Sequence, residues 1–169
     1  LIQIISAILI FGLVLYLAFG DMLLNNNESK SKIIRSYTAI DFVKNGELTF
    51  TTSSDEYISK IDIEIAEDDN SRTKGMMYRD KMKFDRGMFF VFPTETMQSF
   101  WMRNTLLSLD IIFVNSKNEI VTVHKNAIPF DEGQYRSTAP SKFVVEVNSG
   151  YTDSLKIKEG DKITWRRTN

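Results

Sequence analysis

Residues 58–66 read ISKIDIEIA and carry the pattern on which the fold prediction is built. Ile61, Ile63 and Ile65 alternate with acidic residues, which is typical of a β-strand with one buried face. Apolar runs that indicate further short strands follow at 87–92, 109–115, 120–124, 143–148 and 163–165. Short strands in this number predict a mostly β domain, a small antiparallel barrel or sandwich.

A short helix is expected after the first of these strands. Residues 68–71 read DDNS and offer an N-cap, so the helix is placed at 72–79. Gly75 inside it costs about 1 kcal/mol relative to Ala, and a close backbone contact would explain its presence. The fold prediction therefore includes one or two short helices.

The chain opens with an apolar segment, LIQIISAILIFGLVLYLAFG, that contains no charged side chain. A helix of this length spans about 30 Å, the thickness of a bilayer hydrocarbon core. Two interpretations stay open: a transmembrane anchor over residues 1–24, or a signal peptide cleaved near Gly20. We expect residues 25–47 to form a flexible linker and residues 48–169 the domain. The expected location is the cell envelope, either anchored and facing the periplasm or extracellular side, or secreted after cleavage.

Composition excludes several classes of protein and site. The 169 residues contain 21 Lys and Arg against 22 Asp and Glu, so the net charge is -1 and no basic excess suggests a nucleic-acid partner. Cysteine is absent, which removes disulfides, thiol nucleophiles and iron–sulfur clusters. His124 is the single histidine, so a His-pair metal centre is excluded. We expect no metal and no cofactor.

The most unusual stretch is SFWMRNTLLSLD, residues 99–110. If the stretch is extended, Trp101, Arg103 and Thr105 share one face of it. Apolar surface beside a few hydrogen-bonding groups suits the wall of a ligand pocket. It suits equally a sheet rim at which Asn104 satisfies the backbone of a neighbouring turn.

Two carboxylates stand among apolar residues. Asp110 lies between LLSL and IIFV, and Glu146 lies inside FVVEVN. Burial of either group is costly unless it is paired, so each is a structural pin or a group with a raised pKa that can act as an acid or base. Backbone N–H groups, Arg103 or Arg79 are candidate partners for Asp110, and Arg79 is also a candidate partner for Glu146.

Taken in order, IDIEIAEDDNSRTKGMMYRD (61–80), RGMFFVF (86–92), FWMRNTLLSLDIIFVN (100–115), FVVEVNSG (143–150) and IKEGD (157–161) resemble the domain of unknown function 192 family. The resemblance covers about residues 58–165. It implies a compact, mostly β, barrel-like domain with a short helix after the first strand, and it implies no established activity. Ser108 departs from the family, which usually has proline there and hence a more rigid turn before Asp110.

The leading hypothesis is a binding or accessory module at the envelope. Its partners would be the membrane, through residues 1–24, and a small ligand or an envelope protein. The alternative is a hydrolase or lyase acting on an envelope saccharide or peptide, with Asp110 as the candidate acid or base. A structural subunit of an envelope complex is a third possibility. The candidate ligand-binding residues are Arg79, Trp101, Arg103, Asn104, Thr105, Asp110 and Glu146.

Overall fold

The computed structural model describes residues 40–168. The predicted anchor or signal at 1–24, and the predicted linker as far as residue 39, lie outside the described residues. Within residues 40–168, no helix combines the length and the apolar character needed to cross a membrane. The strands are β1 (Gly46–Thr51), β2 (Tyr57–Ala66), β3 (Arg86–Thr96), β4 (Ser99–Phe100), β5 (Leu109–Val114), β6 (Ile120–Ala127), β7 (Tyr135–Arg136), β8 (Ser141–Asn148) and β9 (Lys162–Arg167), and the helices are α1 (Asp69–Lys74) and α2 (Tyr151–Leu155).

Seven strands form one sheet in the order β6-β5-β8-β3-β2-β1-β9, and β4 pairs with β7 in a separate two-stranded sheet. The mostly β prediction with two short helices is confirmed. The sheet is not purely antiparallel as expected, because β2 and β3 run parallel. A parallel pair requires a crossover connection, and α1 with the segment after it supplies that connection.

Of the expected barrel or sandwich, a closed barrel is not formed. The two edge strands, β6 and β9, approach each other at one isolated bridge between Glu119 and Lys162. Ile120 N donates to Asp161 O at 2.8 Å and Ile163 N donates to Asn118 O at 2.9 Å, so the contact is confined to the turns at the strand ends. The sheet therefore curls until its edges touch without a continuous ladder between them.

The curled sheet has an apolar cluster on each face. One face, called the α2 face here, carries side chains such as Phe50, Ile63 and Val145, with Tyr151 of α2 packed among them. The other, called the α1 face, carries Met88, Phe90, Ile111, Phe113 and Val144, with Met76 and Met102 from neighbouring loops. Because successive side chains of a strand point to opposite faces, each central strand contributes to both clusters.

Helix α1 begins earlier and ends earlier than predicted. Asp68 is its N-cap, accepting from the backbone of Asn70 and Ser71, and the Ser71 side chain completes a capping box. Gly75 ends the helix with φ of 45°, a left-handed conformation that favours glycine. A Cβ at Gly75 would lie 3.2 Å from the Phe90 ring, so the expected close contact at this glycine is confirmed.

Candidate functional site

A cavity of about 390 Å³ opens on the α1 face. Its size lies in the range of small-molecule sites, which are mostly apolar with a few convergent polar groups. Helix α1, strands β3 and β4, the turn after β4 and one residue of β8 surround it. The lining residues are Asp69, Arg72, Thr73, Lys74, Gly75, Met76, Met77, Phe90, Phe92, Gln98, Ser99, Phe100, Trp101, Thr105 and Glu146.

The first wall of the cavity is α1 and its C-terminal glycine. Gly75 lets the backbone lie directly on Phe90, which would be obstructed by a larger residue. Arg72 fastens the helix to β3 by donating to Val91 O at 2.9 Å, and it also pairs with Asp69. Its guanidinium carbon lies 5.5 Å from the Phe92 ring centroid. The wall is thus held in place independently of any ligand.

The second wall is aromatic. Phe100 of β4 stands perpendicular to Phe90, with ring centroids 4.9 Å apart, and 6.2 Å from the ring of Phe92. It also makes an edge contact with Phe113 of the core at 5.7 Å. Such edge-to-face pairs stabilise the packing of aromatic rings. The aromatic wall of the cavity is therefore held against the core.

The mouth of the cavity is a turn, where an extended segment was expected. Strand β4 ends at Phe100, and Asn104 adopts φ of 54°, which bends the chain. Trp101 is 44% exposed, and the Arg103 guanidinium carbon lies 5.5 Å from its ring centroid. Thr105 is buried and its N–H donates to Met102 O at 3.1 Å. The prediction that Trp101, Arg103 and Thr105 share one face of an extended segment is therefore wrong.

Asn104 connects two loops through its main chain and its side chain. Its carbonyl accepts from Tyr78 N at 2.9 Å, and its side-chain Nδ2 donates to Tyr78 Oη at 3.0 Å. Both residues have left-handed backbone conformations, for which asparagine is better suited than most residues. The pair holds the turn after β4 against the segment that follows α1.

Glu146 lies at the floor of the cavity. It belongs to β8, is 4% exposed, and its Oε2 has no hydrogen-bond partner among the described residues. Burial raises the pKa of Glu146 from 4.5 to about 8, and the positive charge of Arg79 lowers it by a smaller amount. At neutral pH this group is mostly a neutral carboxylic acid, able to donate as well as accept a hydrogen bond.

Arg79 pairs with a residue that the sequence did not single out. Its Nη1 and Nη2 donate to the two carboxylate oxygens of Glu64 at 2.9 and 2.7 Å, a bidentate arrangement. Arg79 is 5% exposed, and its Nε is unpartnered. Glu64, on β2, therefore forms the ion pair with Arg79 that was expected of Asp110 or Glu146.

Asp110 lies on the opposite side of the sheet from Glu146. In the β5–β8 ladder Asp110 faces Val147 and Ile111 faces Glu146, so the two carboxylates point to different faces. Asp110 is fully buried and accepts four hydrogen bonds: from the backbone N–H groups of Asn126, Gly150 and Thr152 and from the Thr152 hydroxyl. Because Gly150, the N-cap of α2, has no side chain, Asp110 caps this helix from β5.

Three of the predicted ligand-binding residues, Trp101, Thr105 and Glu146, line the cavity. The remaining four, Arg79, Arg103, Asn104 and Asp110, have the partners described above and do not line it. The sequence prediction missed Arg72, Gln98 and the phenylalanines of β3 and β4. The sequence did contain a signal for the α1 wall of the cavity: a capped helix that ends at Gly75 and is followed by the aromatic strand β3.

Metal chemistry has no evident location in the part of the chain that the structure describes. Residues 40–168 contain no group of three or more His, Asp or Glu side chains placed to hold a metal ion. What the cavity offers is one acid of raised pKa, a second carboxylate, two cations, three hydroxyl groups, an amide and aromatic rings. These groups can bind and orient a small molecule, and Glu146 can exchange a proton with it.

The fold and site define a small domain with a curled, mixed sheet and a cavity whose floor is acidic and whose walls are aromatic. The profile of the domain of unknown function 192 family, described as an uncharacterized ACR, matches residues 49–165. The chain belongs to this family. Two curated relatives are UPF0127 proteins. One, of Pyrococcus furiosus, is 31% identical over 64% of this chain and 90% of its own length. The other, of Thermococcus sibiricus, is 30% identical over 61% of this chain and 65% of its own length.

Two solved structures share the fold. A protein of Sinorhizobium meliloti, described as a suggested transcription regulator, has a TM-score of 0.70 and 33% identity, covering 76% of this chain and 98% of its own. A protein of unknown function from Novosphingobium aromaticivorans has a TM-score of 0.67 and 35% identity, covering 70% and 84%. Neither description supplies an activity for the cavity.

Replacing Asp110 with Asn is expected to destabilise the domain by about 2–4 kcal/mol, because an amide group would face backbone donors that lose their acceptor. Urea unfolding measures this change. Asp153→Asn is the matched control, since Asp153 is exposed and pairs only at the surface with Lys125; it should change stability by less than about 1 kcal/mol. Equal stability of Asp110→Asn and the unmodified chain would contradict the pinning role.

Glu146 is expected to make stability fall as pH rises. Its pKa is about 8 in the folded protein against 4.5 ordinarily, so between these values the folded state holds a proton that the unfolded state has lost. The stabilisation is complete below pH 4.5 and is lost as pH rises through about 8, with a slope of up to about 1.4 kcal/mol per pH unit. Glu146→Gln should remove this slope in urea unfolding. A parallel pH dependence in both proteins would show that Glu146 is ionised in the fold.

Proposed function

We propose that this protein is a small-molecule-binding module held at the cell envelope. The observation that supports it most is Glu146, a buried acid that lines an aromatic cavity and has one carboxyl oxygen without a hydrogen-bond partner among the described residues. Buried polar atoms are nearly always satisfied within the protein or by ordered water, so an incompletely satisfied acid in the lining of a cavity supports a role in binding. A ligand that interacts with the Glu146 carboxyl from the cavity would complete the site.

The walls of the cavity are suited to binding. Arg72 and Phe100 are held by contacts to β3 and to the core, so the cavity is formed before a ligand arrives. Preformed sites lose less conformational entropy on binding. The exposed ring of Trp101 at the mouth offers a surface that a ligand can cover.

The enzyme alternative has less support. Asp110, its proposed acid or base, is saturated with hydrogen bonds on the other face of the sheet. A glycosidase would need a second carboxyl group near the first, and the β5–β8 register separates Asp110 from Glu146. Binding without catalysis explains the same cavity residues and does not require a second carboxyl group near the first.

The envelope location rests on the apolar, uncharged segment at the start of the sequence and the polar residues that follow it. A tether of this kind would hold the domain near the membrane, where it can meet small molecules outside the cell. The regulator role suggested for the Sinorhizobium protein belongs to that protein. The net charge of -1 gives no reason to transfer nucleic-acid binding to this chain.

Small polar compounds are expected to bind in the cavity and to lose this binding when a bulky side chain is introduced there. The full chain in lipid nanodiscs, labelled with 13C at its methionine methyl groups, would be titrated with amines, amino acids, sugars and carboxylic acids. Met76 and Met77 line the cavity, whereas exposed Met97 does not, so ligands should shift the first two signals and leave the third unchanged.

Thr73→Trp places an indole at the cavity and is expected to reduce binding at least tenfold. Thr94→Trp is the control, because Thr94 is exposed on β3 and outside the cavity lining. Shifts that persist in Thr73→Trp, or the absence of any shift at Met76 and Met77 with all compound classes, would contradict the binding proposal.

The apolar segment is expected to direct the domain across the membrane. The chain, with an initiating methionine upstream and alkaline phosphatase fused after residue 169, should give phosphatase activity in intact bacteria. Recovery in the membrane fraction after carbonate washing would indicate an anchor over 1–24, and recovery as a soluble, shortened chain would indicate cleavage near Gly20. Loss of activity with full expression would place the domain in the cytoplasm and contradict the proposal.

A further inference from the structure

We infer that the cavity takes a small ligand bearing a protonated, N–H-carrying nitrogen, which binds against the carboxylate of Glu146. This inference rests on the proposed function and specifies its ligand class. It is carried by the charge pairing around the cavity, by the acid without an ion pair in its lining and by the rings that surround it.

Two cations beside the cavity, the buried Arg79 and the partly buried Arg72, already have anionic partners. Arg79 binds Glu64 through two hydrogen bonds, and Arg72 pairs with Asp69 at 2.5 Å. Glu146 has neither an ion pair nor a hydrogen bond to Oε2 among the described residues. A buried carboxylate requires a countercharge, so Glu146 is left with two choices, a proton or a cation from outside the protein.

The groups facing Glu146 do not replace such a cation. Arg79, from the segment after α1, directs both terminal nitrogens to Glu64 of β2, and its charge is thereby compensated. On α1, the guanidinium of Arg72 is tied to Asp69 and to backbone carbonyls, and Lys74 is exposed at the rim. The Nε of Arg79 is unpartnered, but the charge of Arg79 lowers the pKa of Glu146 by less than burial raises it. A ligand cation can therefore supply the charge compensation that Glu146 lacks.

The aromatic walls favour a cation over a neutral group. Cations are attracted to ring faces within about 6 Å of the centroid, and this attraction grows when water is excluded. Arg72 over Phe92 and Arg103 over Trp101, each at 5.5 Å, show that rings of this cavity already accept cations. An ammonium group at the floor would meet the rings of Phe90 and Phe100 as well as the carboxylate.

Binding of an amine exchanges one proton for one cation. The carboxylic acid of Glu146 loses its O–H proton to solvent, and the ammonium N–H then donates to the carboxylate. Since the pKa of Glu146 is about 8 without ligand, affinity should rise tenfold per pH unit up to about pH 8 and then level off. A neutral alcohol needs no deprotonation, so its affinity should not depend on pH over this range.

The test compares n-butylamine with its neutral isostere n-butanol, using the Met76 and Met77 methyl signals of the full chain in nanodiscs. At pH 7.5 the amine is expected to bind at least tenfold more tightly, and its affinity is expected to rise between pH 6 and pH 8. Glu146→Gln should lower the affinity for n-butylamine at least tenfold and leave n-butanol unchanged. Glu159→Gln, at an exposed turn, should change neither.

The wild-type comparison of the two probes and its pH dependence require no variant, so they decide the inference even if Glu146→Gln does not fold. Equal affinity for n-butanol and n-butylamine would overturn the amine inference. Binding of sugars or carboxylic acids at Met76 and Met77 with no response to n-butylamine would also overturn it, while the binding proposal would stand. If neither methionine signal shifts with any compound, both the amine inference and the binding proposal are contradicted.

Discussion

Strand β8 is hydrogen-bonded between β3 and β5, and this double pairing fixes the direction of every polar side chain in the centre of the sheet. A shift of one residue would exchange the two faces. In the observed register Glu146 points to the α1 face, while Asp110 of β5 points to the α2 face. Two carboxylates in similar apolar sequences therefore acquire different environments, one saturated by hydrogen-bond donors and one in the lining of a cavity.

Burial of the Glu146 carboxyl is costly to the fold. Leucine or methionine at this position would fill space among Met88, Phe90 and Val144 without removing an ionisable group from water. The raised pKa of Glu146 shows how the protein limits this cost, since the group is held neutral by a proton. A buried acid without a structural partner is understandable if it has a partner outside the chain, and sites that bind ligands are where stability is commonly sacrificed.

Sequence patterns predicted the parts of the fold that depend on local alternation. Strand β2 and the apolar runs of β5 and β8 were found because apolar periodicity is set by neighbouring residues. Helix α2 was missed because its first turn is capped by Asp110, which lies 42 positions away from Thr152. In the same way, Trp101, Thr105 and Glu146 were identified by composition, whereas the pairing of Arg79 with Glu64 depends on the parallel β2–β3 crossover, which residue types alone do not reveal.

The cavity combines two kinds of support that differ in rigidity. Its floor belongs to a central strand, where Glu146 is held by ladders on both sides. Its mouth and one wall belong to turns made possible by Asn104 and Gly75, both in left-handed conformations. Changes of sequence in those turns can reshape the entrance without altering the acid beneath it, because loops on a rigid scaffold tolerate variation better than the sheet does. In the binding role proposed above, the floor would determine which chemical group is bound, and the turns would determine what the rest of the ligand can be.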